Sequence, residues 1–196
     1  MKIPQLGKKP EIKTCHNTTW EDNYSWIHQK NILEVLRDSS KLLPEVRDYL
    51  EKENDYTNFH LKDTKQIQKK IFDEIKGRIK LDDESLPFTD KKYEYWTKTT
   101  KKGNYSIKLR KKIGTNDIEE IWNGDLEKEK SGSKYFGVGS VSISHCDRFM
   151  AYSLDLQGSE YYTIYLRDLN NNKNKEDIIN NTSGGITWSL DSKSFF

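Results

Sequence analysis

Two serines that lie beside glycines are the first candidates for nucleophilic chemistry in this sequence. Ser183 follows Thr182 and precedes two glycines, and Ser140 lies between Gly139 and Val141. Hydrolases with a serine nucleophile often carry G-x-S-x-G, in which a strained turn exposes the hydroxyl above a sheet. Neither serine completes this pattern. We therefore interpret both glycine-containing stretches as strand ends and tight turns, and we predict no catalytic residue.

The spacing of the other reactive residues indicates neither a metal site nor a cofactor site. Neither H-E-x-x-H nor the phosphate loop G-x-x-x-x-G-K-[ST] occurs, and Cys15 and Cys146 have no partner cysteine pair for a disulfide framework or a zinc site. The four histidines are scattered without ligand spacing: His16, His28, His60 and His145. The sequence thus predicts no cofactor and no metal site. A reduced, cytoplasmic protein is expected, since no run approaches the ~18 apolar residues of a membrane span and the N-terminus lacks the apolar core of a signal peptide.

One basic segment could bind nucleic acid. Residues 91–112 hold nine basic residues and one acid, Glu94, with aromatic side chains between them. Cations interleaved with aromatic rings on a sheet can bind single strands by stacking and phosphate contact. The segment 117–129, however, is rich in acids and is expected on the neighbouring strand, and the net charge is only +2. We therefore favour a solvated sheet face, and nucleic acid is an unlikely partner.

The first 80 residues have a helical pattern. A helix beginning at Pro44 places Val46, Tyr49, Leu50 and Glu53 at positions i, i+3, i+4 and i+7. A second helix, capped by Asp63 or Thr64, has an apolar stripe of period 3.6. The residues of this stripe are Ile67, Ile71, Phe72, Ile75 and Ile79. The segment 26–36 is expected to form a shorter helix or a turn.

After Pro87 the period changes from 3.6 to 2, which predicts strands. They are expected at 93–99, 105–109, 118–122, 136–143, 149–154, 161–167 and 178–182, with turns at Asn123-Gly124-Asp125, Gly158 and Asn170-Asn171-Asn172. Hydrophobic residues make up only 33% of the 196 residues, but aromatic residues reach 12%, which favours a core of aromatic and β-branched strands over disorder. Strands without intervening helices indicate antiparallel sheets.

An internal repeat indicates how these antiparallel strands are arranged. The octamer from Ile143 to Met150 aligns without gaps on the octamer from Trp188 to Phe195, an offset of 45 residues. Propeller blades, each a four-stranded sheet, repeat at about 40–50 residues. Chance similarity of two hairpin turns is the alternative. The chain ends inside a predicted strand, at Ser194-Phe195-Phe196, so we expect it to hold only part of a propeller.

Several motifs occur in an order that is typical of one protein family. They are Glu21-Asp22-Asn23-Tyr24-Ser25-Trp26-Ile27, the segment from Pro44 to Tyr56, Glu74-Ile75-Lys76-Gly77-Arg78-Ile79, Tyr93-Glu94-Tyr95-Trp96, the segment from Tyr152 to Tyr162 and the segment from Thr182 to Trp188. With these motifs, residues 15–196 resemble the N-terminal part of the prolyl oligopeptidase family, most closely its oligopeptidase B (protease II) branch. One departure is the turn Ser144-His145-Cys146-Asp147, where the family tends toward S-P-D-G.

The resemblance implies a serine peptidase in which a seven-bladed propeller covers an α/β-hydrolase domain and N-terminal helices pack on the latter. Members of the branch cleave short peptides after Lys or Arg, and the propeller excludes folded proteins. The triad and the acidic residues that bind the basic side chain belong to the C-terminal domain, so no residue of this chain inherits those roles. Five residues are expected to pack the helices on the hydrolase domain, or equally to fill a local helical core: Tyr24, Trp26, Tyr49, Leu50 and Tyr56.

Together these observations predict an α+β chain with a helical segment at 1–85 and the first two to three blades of an antiparallel β-propeller at 86–196. We expect the N-terminal part of an oligopeptidase B-like endopeptidase that is inactive alone. It would be a gene fragment, a truncated product or one half of a split enzyme whose catalytic half is encoded separately. The alternative is an independent β-sheet module that binds peptide or nucleic acid.

Overall fold

The chain folds as two units, Met1–Ile79 and Lys80–Phe196, in a computed structural model that describes residues 1–196. The domain boundary predicted between residues 85 and 86 refers to the domains of the assembled protein, and it stays a prediction. None of the helices is both long and apolar enough to cross a membrane.

The first unit begins with a hairpin that the sequence pattern did not predict. Strand β1 (Glu11–Cys15) pairs antiparallel with β2 (Thr18–Asp22). The two residues between them, His16 and Asn17, have φ values of 47° and 63°. Positive φ at both central positions suits a tight two-residue hairpin turn. The expectation that the first 80 residues are helical is therefore wrong for this hairpin.

Three helices follow the hairpin: α1 (Ile32–Arg37), α2 (Pro44–Leu61) and α3 (Lys65–Gly77). The two longer ones confirm the predicted helices, and Pro44 lies in the first turn of α2, where its missing N–H costs no hydrogen bond. The predicted short helix or turn at 26–36 is confirmed: the structure has a 3-10 turn at Ser25–Ile27 followed by the short helix α1. Thr64 occupies the position before α3, as predicted, but its side chain makes no capping hydrogen bond. The hydroxyl of Thr64 donates to the carbonyl of Leu61 at 2.7 Å and caps nothing, because a 3-10 turn joins α2 to α3.

Little of the first unit is buried. Val46 in α2 is its one buried hydrophobic residue, at 3% exposure. Each residue of the predicted apolar stripe, which begins in α3 and ends two residues beyond it, is about half exposed or more: Ile67 50%, Ile71 49%, Phe72 61%, Ile75 58% and Ile79 58%. Amphipathic helices are usually stabilised by packing of their apolar face. Here the predicted stripe forms but nothing covers it.

The second unit contains two antiparallel sheets. The strands of the first are β3 (Asp83–Glu84), β4 (Phe88–Asp90), β5 (Tyr93–Thr99), β6 (Ile107–Lys112) and β7 (Ile118–Asn123). Their order is β3-β5-β6-β7, and β4 also pairs with β5. The strands of the second sheet are β8 (Gly137–Ile143), β9 (Phe149–Asp155), β10 (Tyr162–Asp168) and β11 (Lys173–Thr182), in the order β11-β10-β9-β8. The predicted strands coincide closely with β5 to β11, except that β11 begins earlier than expected and Tyr105 precedes β6, whereas β3 and β4 were not predicted.

Helix α4 (Gly124–Ser131) connects the two sheets. The predicted turn at Asn123-Gly124-Asp125 is wrong, since these residues begin this helix. The side-chain oxygen of Asn123 accepts a hydrogen bond from the backbone N–H of Leu126 at 3.2 Å, and Gly132 ends the helix with φ of 61°. Asparagine before a helix and glycine after it are favoured capping residues.

Strand β9 separates two hydrophobic clusters. Alternate side chains of a strand point to opposite faces. Met150, Tyr152 and Leu154 enter one cluster with Trp122 and Phe136. On the other face, Ala151 enters a second cluster. That cluster also contains Ile164, Trp188, Ile186 and Phe195.

The predicted repeat is confirmed in the geometry of two turns. Asp147 has φ of 62° and Ser192, 45 positions later, has φ of 59°. In the first turn the backbone N–H of Ser144 donates to the carbonyl of Phe149 at 2.8 Å, and in the second that of Ser189 donates to Ser194 at 2.9 Å. A bridge between Trp188 and Phe195 starts a third sheet. The structure thus has two complete sheets of propeller type and the beginning of another.

Candidate functional site

The two glycine-flanked serines occupy structural positions. Ser140 lies within β8, and its backbone N–H donates to the hydroxyl of Ser153 at 2.8 Å. Ser183 precedes Gly184, whose φ of 85° marks a turn. The interpretation as a strand and a tight turn is confirmed.

The four histidines lie in separate places. His16 is in the β1–β2 turn, His28 follows the 3-10 turn of the first unit, and the ring of His60 in α2 lies 4.3 Å from that of Tyr56. His145 belongs to the turn between β8 and β9, where its Nδ1 lies 3.0 Å from the Nζ of Lys91. No group of three or more His, Cys, Asp or Glu side chains is arranged to hold a metal ion.

Three of the nine basic residues of segment 91–112 form ion pairs with acids, namely Lys98, Arg110 and Lys111. Arg110 on β6 is opposite Glu119 on β7, and its Nε lies 2.7 Å from the Glu119 carboxylate. Lys111 lies 2.8 Å from Glu94 on β5. Both ion pairs place opposite charges on neighbouring strands, and the acid that pairs with Arg110 comes from the acidic segment 117–129.

A row of three turns joins the consecutive sheets along one edge of the second unit. The first lies between β4 and β5 and contains Lys91 (φ 51°), the second is the turn from Ser144 to Arg148, and the third is the turn from Ser189 to Lys193. The Nζ of Lys91 donates to the carbonyl of His145 at 2.8 Å. The backbone N–H of Cys146 donates to the hydroxyl of Ser192 at 2.8 Å. Each turn is therefore hydrogen-bonded to the next.

The guanidinium of Arg110 and the hydroxyl of Tyr95 fasten the first sheet to the second turn of this row. Arg110 donates to the carbonyl of Asp147 at 2.6 Å, and Tyr95 donates to its carboxylate at 3.2 Å. Burial, assisted by the negative charge of Asp147, raises the pKa of Tyr95. The phenol therefore stays protonated and remains a hydrogen-bond donor. Sequence reasoning gave Arg110 only a surface charge and missed this role.

A buried ion pair links α4 to the second sheet. The carboxylate of Glu127 accepts from Arg167 on β10 at 2.9 Å, and the two side chains are 8% and 6% exposed. Glu127 also lies 2.9 Å from Lys130, and Arg167 donates to Asn174 at 2.8 Å and to the hydroxyl of Tyr152 at 3.2 Å. Burial raises the pKa of Glu127, but the hydrogen bonds from Arg167 and Lys130 outweigh it and hold that pKa below its usual 4.5. The pair was not predicted, because a charge on each of two distant elements leaves no local pattern.

The five residues expected to pack against a hydrolase domain divide into two groups within the first unit. Trp26 and Tyr49 line one cavity of about 190 Å³. The indole of Trp26 donates to the carbonyl of Gly7 at 3.0 Å, and the hydroxyl of Tyr49 donates to a carboxylate of α2 at 2.5 Å. Tyr24 and Leu50 remain 43% and 44% exposed.

The fifth of these residues, Tyr56, is partly buried, and its ring contacts that of His60 at an interplanar angle of 49°. Trp26, Tyr49 and Tyr56 thus have local partners, while Tyr24 and Leu50 are available to a further surface.

Comparison with known proteins gives a consistent result. The family model described as prolyl oligopeptidase, N-terminal beta-propeller domain, matches residues 4–196. Dipeptidyl aminopeptidase BI of Pseudoxanthomonas mexicana is 29% identical over 208 residues, which cover 98% of this chain and 28% of that relative. Protease 2 of Moraxella lacunata is 24% identical over 194 residues, covering 96% of this chain and 26% of the relative.

A solved structure shares the fold. Oligopeptidase B from Trypanosoma brucei, in a closed form with covalently bound antipain, superimposes with a TM-score of 0.74 at 23% identity. The match covers 99% of this chain and 28% of that one. The predicted α+β fold, with antiparallel blades of an incomplete propeller, is confirmed. The chain spans about a quarter of the length of the curated relatives that it matches.

Proposed function

Because the chain belongs to the prolyl oligopeptidase family, whose N-terminal propeller domain it matches over residues 4–196, we propose that it serves as the propeller part of a serine peptidase that cleaves short peptides. The proposal rests on the agreement between this family match and the fold, which has two complete sheets of propeller type and the first bridge of a third. In such an enzyme the propeller acts by exclusion. A covered active site admits short, flexible peptides and keeps folded proteins away from the nucleophile.

The catalytic groups come from elsewhere in the assembled enzyme. Within residues 1–196 the glycine-flanked serines lie in a strand and in a turn, and the Nδ1 of His145 contacts the Nζ of Lys91. We therefore propose that this chain alone hydrolyses nothing, and that a separately encoded catalytic half is its partner. The assembled enzyme would act in the cytoplasm, without a cofactor, a membrane or a nucleic acid.

The exposed apolar surface of the first unit supports such a partner. Tyr24, Leu50 and the stripe of α3 lose contact with water only if another surface covers them. Exposed apolar patches of this kind mark interaction sites. We propose that the hydrolase domain covers them, as the resemblance implies.

Substrate preference has two candidates within the same enzyme class. Cleavage after Lys or Arg is what the resemblance to the oligopeptidase B branch implies, and a relative named protease 2 is among the matches. Removal of dipeptides from a free N-terminus is supported by the relative named dipeptidyl aminopeptidase BI, which has the higher sequence identity. A pair of fluorogenic substrates that differ only in a blocked or free N-terminus separates the two.

The deciding experiment mixes the purified chain with a polypeptide encoded by the reading frame downstream of Phe196, if that frame supplies the missing blades and a G-x-S-x-G. Neither polypeptide alone should hydrolyse an arginyl fluorogenic substrate, and the mixture should do so in a manner blocked by a serine-directed inhibitor. Inhibitor-sensitive turnover by this chain alone contradicts its proposed inactivity. Failure of the mixture to act contradicts the split enzyme.

A matched pair of variants tests the docking surface. Leu50→Asp should abolish activity of the mixture, because it places a charge on the proposed apolar interface. Glu51→Ala, at an exposed neighbouring position of α2, should leave it unchanged. Equal activity of the two mixtures excludes Leu50 from the interface without affecting the peptidase assignment.

A further inference from the structure

An open cavity of about 560 Å³ is lined by α4 and by one face of the second sheet. Alternate side chains of a strand share a face. Tyr152 and Leu154 of β9 therefore lie on the same face as Tyr165 of β10, which is opposite Tyr152 in the register. These three side chains and Leu156 form the apolar part of the lining. Pockets that bind small molecules have volumes of roughly 300–1,000 Å³, so the cavity has room for a small organic ligand.

Arg167 is the buried cation of this cavity, and it lies two residues beyond Tyr165 on the same face of β10. Its Nε donates to Asn174 at 2.8 Å, and its Nη2 donates to Glu127 at 2.9 Å and to the hydroxyl of Tyr152 at 3.2 Å. Nη1 donates to no protein atom. Because every fully buried side-chain nitrogen of the structure has a partner, Nη1 is open to the cavity. Three hydrogen bonds thus fix the guanidinium in place while one of its nitrogens stays free to donate.

The charges around the cavity favour an anionic ligand. Glu127 is shared between Arg167 and Lys130 of α4, which lies 2.9 Å from its carboxylate. Lys173 at the start of β11 also lines the cavity. Three cations and one acid therefore line the cavity, and an anion would offset this excess of positive charge.

We propose that the cavity binds a small carboxylic acid with an apolar body, its carboxylate on the Nη1 of Arg167 and its apolar body against Tyr165 and Leu154. The carboxylate would accept a charge-assisted hydrogen bond, and Arg167 is already oriented to donate it. The ring of Tyr165 stacks on that of Tyr152 at 5.3 Å, which gives the ligand a rigid apolar surface. Alkyl acids and aromatic acids share this chemistry. The site is independent of the proposed peptidase role.

Calorimetric titration of the purified chain tests the proposal with two pairs of probes. The pairs are octanoate with octanamide and 3-phenylpropanoate with 3-phenylpropanamide. In the pair that binds more tightly, the acid should bind at least about 10-fold more tightly than its amide, because only the acid pairs with Arg167. Tighter binding of octanoate indicates an alkyl acid as the ligand, and tighter binding of 3-phenylpropanoate indicates an aromatic acid.

Three variants complete the design, each titrated with the acid that binds more tightly. Arg167→Met removes the donor and should lose at least about 10-fold in affinity. Lys130→Met, at a position that is 67% exposed, should lose about 3-fold through the weaker attraction of a hydrated charge. Lys175→Met should bind as the wild type does, because Lys175 lies beside Phe149 on the opposite face of the sheet.

Equal binding of acid and amide, unchanged affinity of Arg167→Met, or binding of no probe overturns the proposal. If Arg167→Met does not fold, Lys130→Met decides, and unchanged affinity of that variant overturns the proposal as well.

Discussion

Replacing Glu127 with glutamine should destabilise the second unit by about 3 kcal/mol, because loss of one partner of a buried ion pair costs roughly 3–5 kcal/mol. Glu127 is the one anionic partner of Arg167, whose side chain is 6% exposed, so the variant leaves a buried guanidinium without a counter-charge. Arg167→Met should cost less, about 1–2 kcal/mol. In that variant Glu127 keeps the ammonium of Lys130, which is 67% exposed and well hydrated.

Urea unfolding followed by intrinsic fluorescence measures both changes. Trp122 contributes to the signal from the same region, since its ring lies 4.9 Å from that of Tyr152, which accepts a hydrogen bond from Arg167. A loss of 3 kcal/mol is a large share of the roughly 5–15 kcal/mol that stabilises a typical domain. It should lower the melting temperature by about 10 °C or more.

The double variant Glu127→Leu with Arg167→Met provides the control. Replacing a buried pair by apolar residues of similar volume is often neutral, so the double variant should be more stable than Glu127→Gln. Two results refute this reasoning. One is a Glu127→Gln variant within about 0.5 kcal/mol of the wild type, which is the range of ordinary surface substitutions. The other is a double variant as unstable as Glu127→Gln.

Three further predictions concern the second unit. The folded pKa of Glu127 lies below its usual 4.5, so the stability that its carboxylate contributes is present at neutral pH. This stability should be lost as the pH falls from about 4.5 through the folded pKa. Measuring the unfolding midpoint of the wild type and of Glu127→Leu over this pH range tests the prediction. Met150→Ala should cost about 2–5 kcal/mol in urea unfolding because Met150 is 0% exposed, whereas Leu190→Ala, at 86% exposure, should change the midpoint little. Gly139→Ala should lower the melting temperature because its new Cβ would lie 2.6 Å from a serine hydroxyl, while Gly185→Ala has nothing within 4 Å and should not.

The blade pattern was predictable because it repeats in the chemistry of its turns. The octamers that begin at Ile143 and Trp188 each require a residue with positive φ at the same position, and Asp147 and Ser192 provide it. Strand β9 carries a nearly continuous apolar run rather than an alternation, because it is buried on both faces, and such a short run also indicates a strand. Strand β11 was only partly predicted because its first half, residues 173–177, contains no apolar residue and therefore shows no alternation of apolar and polar residues.

The hairpin and α4 escaped prediction for local reasons. The β1–β2 turn uses His16 and Asn17 rather than the Asn-Gly or Asp-Gly pairs that signal such turns. Helix α4 has one apolar residue, Leu126, so no apolar stripe marks it. The signals that could have found it are its asparagine cap and its charges, with acids in the first turn and lysines in the last. Buried contacts such as Glu127–Arg167 join elements 40 residues apart and require the tertiary fold.

Strand β9 packs on both of its faces, and this affects the order in which the protein folds during synthesis. Its Met150 face can pack as soon as the second sheet is made, because the partners of that cluster precede it or belong to the same sheet. Its Ala151 face depends on Trp188 and Phe195, which leave the ribosome later. The second sheet therefore precedes the residues that cover its Ala151 face, and this face stays exposed to chaperones and to other nascent chains until Trp188 and Phe195 reach it.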